Sequence, residues 1–352
     1  MRRVALVIAT SVVAACSGRG RVLAPIRLEP VVAFGAENGD GAIATDPRVS
    51  AHHPRGFRIV IPSAAGVAVL PLVYGDDGRF LGDLRGGRSA AEQFRTPLFA
   101  RIGPADSIWV FDGAHRVLIF NPDRHYVRTA PLPVSPWDAL VLPDSRMLIA
   151  PSDADRPLPL LLLGATGVGI RDFGAVDSDV SLHAARWLVR DRDGSFWSMP
   201  AQFQWRLEHW DTGGALVSVL ERRPDWFKPY THVSAPGPDH APQPTIQGAW
   251  IDSVGRLWVL GMIADPGWRL GIDWHRQQSS GAVIGDADKV YDTILEVLDL
   301  RTRRLIATQR IRQSYPSEVE PGVLLHIRET TGGWKKVEVV KVIFRGNAVR
   351  AP

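Results

Sequence analysis

Short hydrophobic runs separated by polar turn residues dominate this chain from about residue 25 onwards. The runs are rich in Val, Ile, Leu, Phe and Trp, and clusters of Gly, Pro, Asp and Asn lie between them. No long stretch of the sequence repeats apolar residues at the spacing of an amphipathic helix. The pattern therefore predicts an all-β protein made of many short strands.

One unit of this pattern recurs along the chain. It consists of an Asp/Gly turn, a strand with Trp or another large apolar residue, and two further strands after turns. The clearest copy covers residues 106–132, and other copies cover residues 66–84, 144–173, 193–220 and 253–311. Aligned apolar residues of the last four copies along the chain are Trp109, Leu148, Trp197 and Trp258, at spacings of 39, 49 and 61 residues. Units of about 40 to 50 residues are typical of β-propeller blades, and the longest spacing contains an insertion.

The two ends of the chain supply one more blade. Residues 27–34 together with 323–328 and 334–344 are β-rich pieces left over from the repeats. Pairing the chain ends in one sheet would remove exposed strand edges, which otherwise invite aggregation. We therefore predict a single six-bladed β-propeller closed by its N- and C-terminal strands. Seven or eight blades, of about 48 or 42 residues each, and a two-domain β-sandwich are the alternatives.

The repeat, and residues 106–127 above all, resembles the six-bladed β-propellers of the NHL-repeat and TolB-like group, especially exported bacterial ones. The resemblance implies a propeller domain over residues 27–352. Two segments break the repeat: residues 222–245, which contain six prolines, and residues 261–292. Long irregular segments in a compact domain are often binding loops or lids, and equally often tolerated insertions.

The N-terminus follows a different pattern. Arg2 and Arg3 precede a 12-residue, mainly apolar run at 4–15, and Cys16 comes next. The run is shorter than the roughly 20 residues that span a membrane as a helix, but it suits a secretory signal. Residues 13–16 resemble a bacterial lipobox, which implies a lipoprotein signal peptide over 1–15, a lipid on Cys16 and a tether over 16–26. An ordinary signal peptide cleaved near Cys16, or an uncleaved anchor, is the alternative.

Composition and charge limit which sites, partners and cellular location we expect for the protein. With a single cysteine, the chain has no intrachain disulfide and no multi-thiolate metal site. The formal net charge of +4 falls to +2 without Arg2 and Arg3, and the remaining arginines are interspersed with Asp and Glu, so we expect no nucleic-acid binding. We expect a monomer in the cell envelope, lipid-anchored on the periplasmic face. Because Ser17 rather than Asp follows Cys16, the outer membrane is favoured in a bacterium with two membranes.

The second insertion contains the candidates for ligand binding. Trp268, Trp274 and His275 lie outside the repeat, where aromatic rings could stack on a sugar or peptide, or could instead cover the propeller. Trp109, Trp197 and Trp258 occupy one blade position, which predicts packing between blades.

Metal ligands are the other candidates. His232 and His240, with Asp239 between them, lie in the Pro-rich insertion and could bind zinc or copper, or could be ordinary loop histidines. Asp265, Asp273, Asp286 and Asp288 could supply oxygen ligands to calcium, at a spacing that fits no standard loop.

No catalytic residue is predicted. The sequence contains no nucleophile elbow, zinc-protease helix, phosphate loop, EF-hand loop or haem attachment motif. We therefore expect an envelope lipoprotein whose propeller is a binding or assembly scaffold for a protein, peptide or glycan, without a predicted cofactor. The alternative is a lactonase-like, metal-dependent hydrolase or lyase with calcium or zinc in the central channel.

Overall fold

The computed structural model describes residues 26–62, 69–89, 92–152, 158–174, 185–237, 239–278 and 281–344. Cys16 and the predicted signal peptide lie outside these residues.

The described residues form six four-stranded antiparallel sheets, which are the blades of a propeller, and one two-stranded hairpin. The first strand of the chain, β1 (Ile26–Phe34), belongs to the last blade. Blade 1 comprises β2 (Pro47–His53), β3 (Phe57–Pro62), β4 (Leu72–Gly75) and β5 (Phe80–Asp83). Blade 2 comprises β6 (Pro97–Ile102), β7 (Ile108–Asp112), β8 (Arg116–Phe120) and β9 (Tyr126–Pro131). Blade 3 comprises β10 (Pro136–Val141), β11 (Met147–Pro151), β12 (Leu160–Leu163) and β13 (Gly169–Phe173).

The second half of the ring follows the same plan with one interruption. Blade 4 comprises β14 (Arg186–Arg190), β15 (Phe196–Pro200), β16 (Arg206–Trp210) and β17 (Leu216–Glu221). Blade 5 begins with β18 (Thr245–Ile251) and β19 (Arg256–Ala264). A 3₁₀ turn (Trp268–Gly271), the hairpin β20 (Ile272–Gln278) and β21 (Gly281–Ile284), and the short helix α1 (Ala287–Val290) then intervene. Blade 5 is completed by β22 (Tyr291–Asp299) and β23 (Arg304–Ile311). Blade 6 comprises β24 (Ser317–Glu320), β25 (Val323–Glu329), β26 (Lys335–Phe344) and β1.

The ring closes as the sequence predicts. The inner strands pack in the order β2, β6, β10, β14, β18 and β24, and β24 packs against β2 again. Strand β1 pairs with β26 from Ile26↔Phe344 to Phe34↔Val337, so the two chain ends share one sheet. The fold is therefore an all-β, six-bladed propeller, and the alternatives of seven or eight blades and of a sandwich were wrong.

The blades are held together by apolar side chains packed between neighbouring sheets. Trp109 packs with Met147 and Leu161 of the next blade, and Trp258 packs with Leu324 of blade 6. Trp197 likewise packs with the first strands of blade 5. The predicted packing role of the repeated tryptophan is thus confirmed.

Many turns of the repeat use the same side-chain chemistry. Oδ1 of Asp211 accepts hydrogen bonds from the backbone N–H groups two and four residues later, both at 2.8 Å. Asn121 and Asp252 make the same pair of bonds at 2.9 to 3.0 Å. The fourth residue of the Asp211 turn is Gly214 with φ +80°, a left-handed conformation that glycine adopts without strain. The Asp/Gly signal of the sequence therefore marks three-residue hairpin loops.

The antiparallel order gives the propeller two different faces. The links between the first and second and between the third and fourth strands lie on one face, which we call the hairpin face. The links between the second and third strands and between blades lie on the other, the insertion face. Residues 222–244, which join blades 4 and 5, and residues 265–290, inside blade 5, both belong to the insertion face.

The innermost strand of each blade is absent from the units that the sequence pattern predicts. Three of these strands begin with proline, namely β2, β6 and β10. Five of the six shift register against the second strand of their blade, through a bulge or similar irregularity, and β14 does not. Proline is tolerated at the start of a strand whose inner edge, facing the channel, is unpaired. A bulge interrupts the two-residue alternation that reveals a strand.

Candidate functional site

Charged side chains of the inner strands form a polar cluster at the channel. Nε and Nη1 of Arg101 on β6 donate to the carbonyl oxygens of Ala139 and Ser50, at 3.1 and 3.2 Å, so the guanidinium links β2, β6 and β10. Arg101 also forms an ion pair with the buried Asp138. Oδ2 of Asp138 accepts a hydrogen bond from the backbone N–H of Leu188 on β14 at 2.9 Å. One ion pair therefore ties four consecutive inner strands together.

Glu318 on β24 is the unusual member of this cluster. A Cβ atom at Gly248 would lie 3.6 Å from its Oε2, so the carboxyl group lies over a position without a side chain. The side chain keeps some solvent contact, but dense surrounding protein raises its pKa well above the usual 4.5. The positive charge of Arg101 opposes this shift, and the negative charge of Asp138 adds to it. Glu318 therefore takes up a proton more readily than an ordinary glutamate does.

A second polar cluster lies where the inner strands end at the hairpin face. Nδ1 of His52 lies 2.7 Å from Oε2 of Glu320, and its Nε2 lies 2.9 Å from Oδ1 of Asp76. Nη1 of Arg58 donates to the same oxygen of Asp76 at 2.5 Å. Residues of blades 1 and 6, the blades joined by ring closure, are thus bridged through one imidazole. The neighbouring His53 is fully buried, with Nδ1 accepting from the N–H of Arg55 and Nε2 donating to the carbonyl oxygen of Asp106.

The Pro-rich segment 222–244 is anchored to the propeller by aromatic side chains. Phe227 is 1% exposed in the core between blades 4 and 5, and Trp226 and Tyr230 pack against the same core. Trp226 lies over Gly261 of β19, where a Cβ would come within 2.5 Å of the indole ring. Arg222 pairs with the buried Glu296 at 2.8 Å. The run of aromatic residues at 226–230 was the sequence signal for this anchoring, and the proline content concealed it.

The insertion 265–290 has a small core and an ionic anchor of its own. Trp268, Ile272 and Val290 form an apolar cluster, in which Trp268 is 4% exposed. Asp288 on α1 lies 2.9 Å from Nε2 of the buried His326 on β25. His326 also lies 3.2 Å from Glu338 of β26, so the insertion is held against blade 6 as well as blade 5.

The predicted ligand-binding aromatics lie in this insertion. Trp268 is buried in its core, with its ring centroid 6.0 Å from that of Trp274 in an edge-on arrangement. Trp274 is half-buried, and its Nε1 donates to the carbonyl oxygen of Arg269 at 3.2 Å. His275 lies in β20. Trp268 thus packs in the core of the insertion, and ligand binding by Trp268, Trp274 and His275 stays a prediction.

The predicted metal ligands are spread over the insertion face. His232 and His240 are both exposed, and the backbone of His240 forms an isolated bridge with Gly237. Asp265 caps the backbone N–H of Gly267, and Asp286 caps the start of α1. Among the described residues, no three His, Cys, Asp or Glu side chains are grouped closely enough to hold a metal ion. Metal binding by His232 and His240 stays a prediction.

None of the helices among the described residues has the length and apolar content of a membrane-spanning segment.

Comparison with known proteins finds similarity in fold rather than in sequence. No model of a known protein family and no curated protein sequence matches the chain. A solved protein from Bacteroides fragilis, described as exported, superposes with a TM-score of 0.54 at 10% identity, covering 91% of this chain and 96% of the other. A gluconolactonase from Xanthomonas campestris gives a TM-score of 0.45 at 13% identity, with 90% of each chain covered. BamB from Moraxella catarrhalis gives 0.39 at 11% identity, with 84% of each chain covered. The chain is therefore a six-bladed β-propeller whose fold resembles that of the exported Bacteroides protein.

Proposed function

We propose that this protein is an envelope lipoprotein whose propeller binds another protein through its insertion face. The observation that carries the proposal is that both long insertions lie on this one face and are anchored by packed aromatic residues and an ion pair. Leu270, in the 3₁₀ turn of the second insertion, is 83% exposed, and Ile284 of the same insertion is 43% exposed. Irregular segments supported by a rigid scaffold are where binding residues concentrate.

The N-terminal pattern supports the envelope location. Cys16 follows a basic and then an apolar segment, the order required for lipid attachment. The fold likeness to a protein described as exported agrees with this location. Labelling cells with a palmitate analogue tests it: the wild-type protein should be labelled, and Cys16→Ser should not. Unchanged labelling of the Cys16→Ser variant would refute lipidation at this position.

Site-specific photo-crosslinking tests the binding surface. A photoreactive amino acid replaces Leu270 on the insertion face or, as a matched control, Val254 on the hairpin face of the same blade, which is 67% exposed. We expect one product of defined higher mass from position 270 in cells and none from position 254. A Leu270→Asp substitution should weaken binding of the partner identified in this way by at least tenfold, because it places a charge in an apolar contact.

Two outcomes would contradict the proposal. Crosslinking of equal yield from positions 270 and 254 would mean that the partner does not bind preferentially to the insertion face. An identified partner that binds the Leu270→Asp protein as tightly as the wild type would mean that the exposed leucine is not part of the contact.

Glu318 favours a second candidate function, an acid–base hydrolase or lyase with its site in the channel. A carboxyl group with a raised pKa can serve as a general acid near neutral pH. Turnover of a panel of lactones tests this function. It requires measurable activity that Glu318→Gln lowers at least a hundredfold without changing thermal stability, and a wild-type protein inactive on the whole panel counts against it.

A further inference from the structure

A cavity of about 260 Å³ lies between blades 3 and 4 and opens on the hairpin face. Its walls are apolar, and the lining residues Leu148, Leu162, Phe173 and Phe196 are all buried. The charged lining residues are Asp144, Arg146 and Arg190, and Thr212 supplies a hydroxyl group. The cavity lies on the face opposite the two insertions, so it is separate from the protein-binding surface proposed above.

The repeat explains why a cavity forms at this junction. The last residue of an inner strand is paired with the first residues of the second strand, as in Ile102↔Ile108 of blade 2 and Val141↔Met147 of blade 3. Ile102 and Val141 each pack against the apolar core shared with the preceding blade. Ile251 of blade 5 does the same.

The other three blades have a polar residue at this position, namely His53 in blade 1, Arg190 in blade 4 and Glu320 in blade 6. Arg190 is paired with Phe196 and stands where three other blades have isoleucine or valine. Its side chain is exposed instead of packed against blade 3. Blade 4 therefore lacks the apolar side chain that blades 2, 3 and 5 have at this position, and the space that it would fill is open.

Among the described residues, the positive charge of Arg190 at the mouth of the cavity has no paired anion. Arg146 is neutralised by Asp144, with 2.7 Å between Nε and Oδ2. Arg190 makes no hydrogen bond or ion pair with any residue that the structure describes. An arginine fork binds a carboxylate through two parallel hydrogen bonds, and the hydroxyl group of Thr212 offers one more donor.

We propose that this cleft binds a small monoanion with an apolar body. The body lies against the apolar wall formed by Leu148, Leu162, Phe173 and Phe196, and the carboxylate pairs with Arg190 at the mouth. The volume is below the roughly 300 to 1,000 Å³ of sites for drug-sized ligands, so the ligand is correspondingly small. The proposal is independent of the protein-binding function, because neither the residues nor the face is shared.

Calorimetric titration of the purified protein with octanoate and with 3-phenylpropanoate tests the proposal. We expect saturable binding of at least one acid with a 1:1 stoichiometry, and the two probes distinguish an aliphatic from an aromatic body. Octan-1-ol, which has no charge, should bind at least tenfold more weakly than octanoate, because a hydrogen-bonded charge pair contributes about one order of magnitude or more.

Two variants at one position separate the charge from the space. Arg190→Gln removes the charge and should weaken acid binding at least tenfold with little change in Tm. Arg190→Ile introduces the kind of apolar side chain that blades 2, 3 and 5 have at this position. It should therefore fill the cleft, abolish binding and raise Tm by roughly 2 °C or more. Arg301→Gln, at an exposed turn of the hairpin face on blade 5, is the matched control and should bind like the wild type.

The proposal is overturned if the wild-type protein binds neither acid below about 5 mM, a free energy of only about 3 kcal/mol. It is also overturned if the Arg190→Gln and Arg190→Ile proteins bind the acids as the wild type does.

Discussion

A single carboxylate can organise both a turn and the strand beyond it, as Asp252 shows. Its Oδ1 accepts the two backbone N–H groups of the hairpin loop. Its Oδ2 accepts from Nε of Arg256 at 2.7 Å and from Nε1 of the buried Trp258 at 2.9 Å. Asp211 makes the same two backbone bonds but holds no tryptophan. Comparing the two residues thus separates the contribution of the loop to stability from that of the bonds to Arg256 and Trp258.

We predict that Asp252→Ala lowers the free energy of unfolding by about 2 to 4 kcal/mol, whereas Asp211→Ala lowers it by about 1 kcal/mol. The difference arises because Asp252→Ala removes the ion pair with Arg256 and leaves the Trp258 indole N–H without its acceptor in the interblade core. Urea denaturation followed by circular dichroism measures both values. Equal losses for the two variants would show that the bonds of Asp252 to Arg256 and Trp258 contribute nothing.

Arg101 allows a similar test at the channel. Arg101→Met keeps much of the side-chain volume but leaves Asp138 as a buried carboxylate without its cation. We predict a loss of about 3 to 5 kcal/mol, the usual cost of removing one partner of a buried ion pair. Asp138→Asn combined with Arg101→Met should recover part of that loss, because the buried charge is then gone. A double variant less stable than Arg101→Met alone would contradict this explanation.

At the level of elements, what the sequence predicted depended on repetition. The second to fourth strands recur with the same residue types, as do Trp109, Trp197 and Trp258, so a pattern search finds them in every blade, except for β3 of blade 1, which lies outside the predicted unit at 66–84. The inner strands carry side chains that differ from blade to blade, such as Arg101, Asp138 and Glu318, because each faces its own part of the channel. The channel cluster therefore combines residues from several strands and has no local sequence signature. That Arg190 stands at a position occupied by isoleucine or valine in three other blades is seen only when the blades are aligned by their strand pairing.

The stability that the contact between α1 and blade 6 contributes depends on pH. A hydrogen bond to Asp288 raises the pKa of His326 above the usual 6.5, against the effect of burial. Burial raises the pKa of Asp288, but its hydrogen bond with His326 and the N–H of Ser314 hold that pKa below the usual 3.8. The histidine contribution is complete below pH 6.5 and is lost as the pH rises through the pKa of the folded state. The aspartate contribution is present above pH 3.8 and is lost at lower pH.

We predict that His326→Gln costs about 1 to 3 kcal/mol of stability at about pH 5.5 and clearly less at about pH 9. Glutamine retains a hydrogen-bond donor but has no charge, so the difference between the two pH values reports the ion pair. His125→Gln, at an exposed turn, is the control and should show no such dependence. Urea denaturation at both pH values measures it, and a loss that is the same at both would rule out an ionic contact.

At the scale of the whole molecule, the ring depends on one strand. Without β1, strand β26 would present a free edge of backbone N–H and C=O groups, and such edges promote aggregation. The same strand supplies Ile26 and Leu28 to the core between blades 5 and 6. Ring closure therefore depends both on backbone hydrogen bonds between β1 and β26 and on apolar packing by β1.

We predict that a chain beginning at residue 25 unfolds at the same temperature as the chain beginning at residue 17, because neither lacks any of β1. A chain beginning at residue 36 should lose several kcal/mol of stability and form aggregates, because it lacks the outer strand of blade 6. Size-exclusion chromatography and thermal unfolding measure both effects. A monomeric and equally stable product from residue 36 onwards would mean that β1 is dispensable.

The pairing of β1 with β26 also determines the order in which the molecule can be completed. Ile26 and Phe344 are 318 positions apart, and synthesis proceeds at about 5 to 20 residues per second. The first strand therefore waits roughly 15 to 60 s before its partner exists. Blades 1 to 5 can form their own sheets in that time, but the ring cannot close until the last strand emerges. A chain that has to cross a membrane unfolded would be kept from finishing its fold too early by its own connectivity.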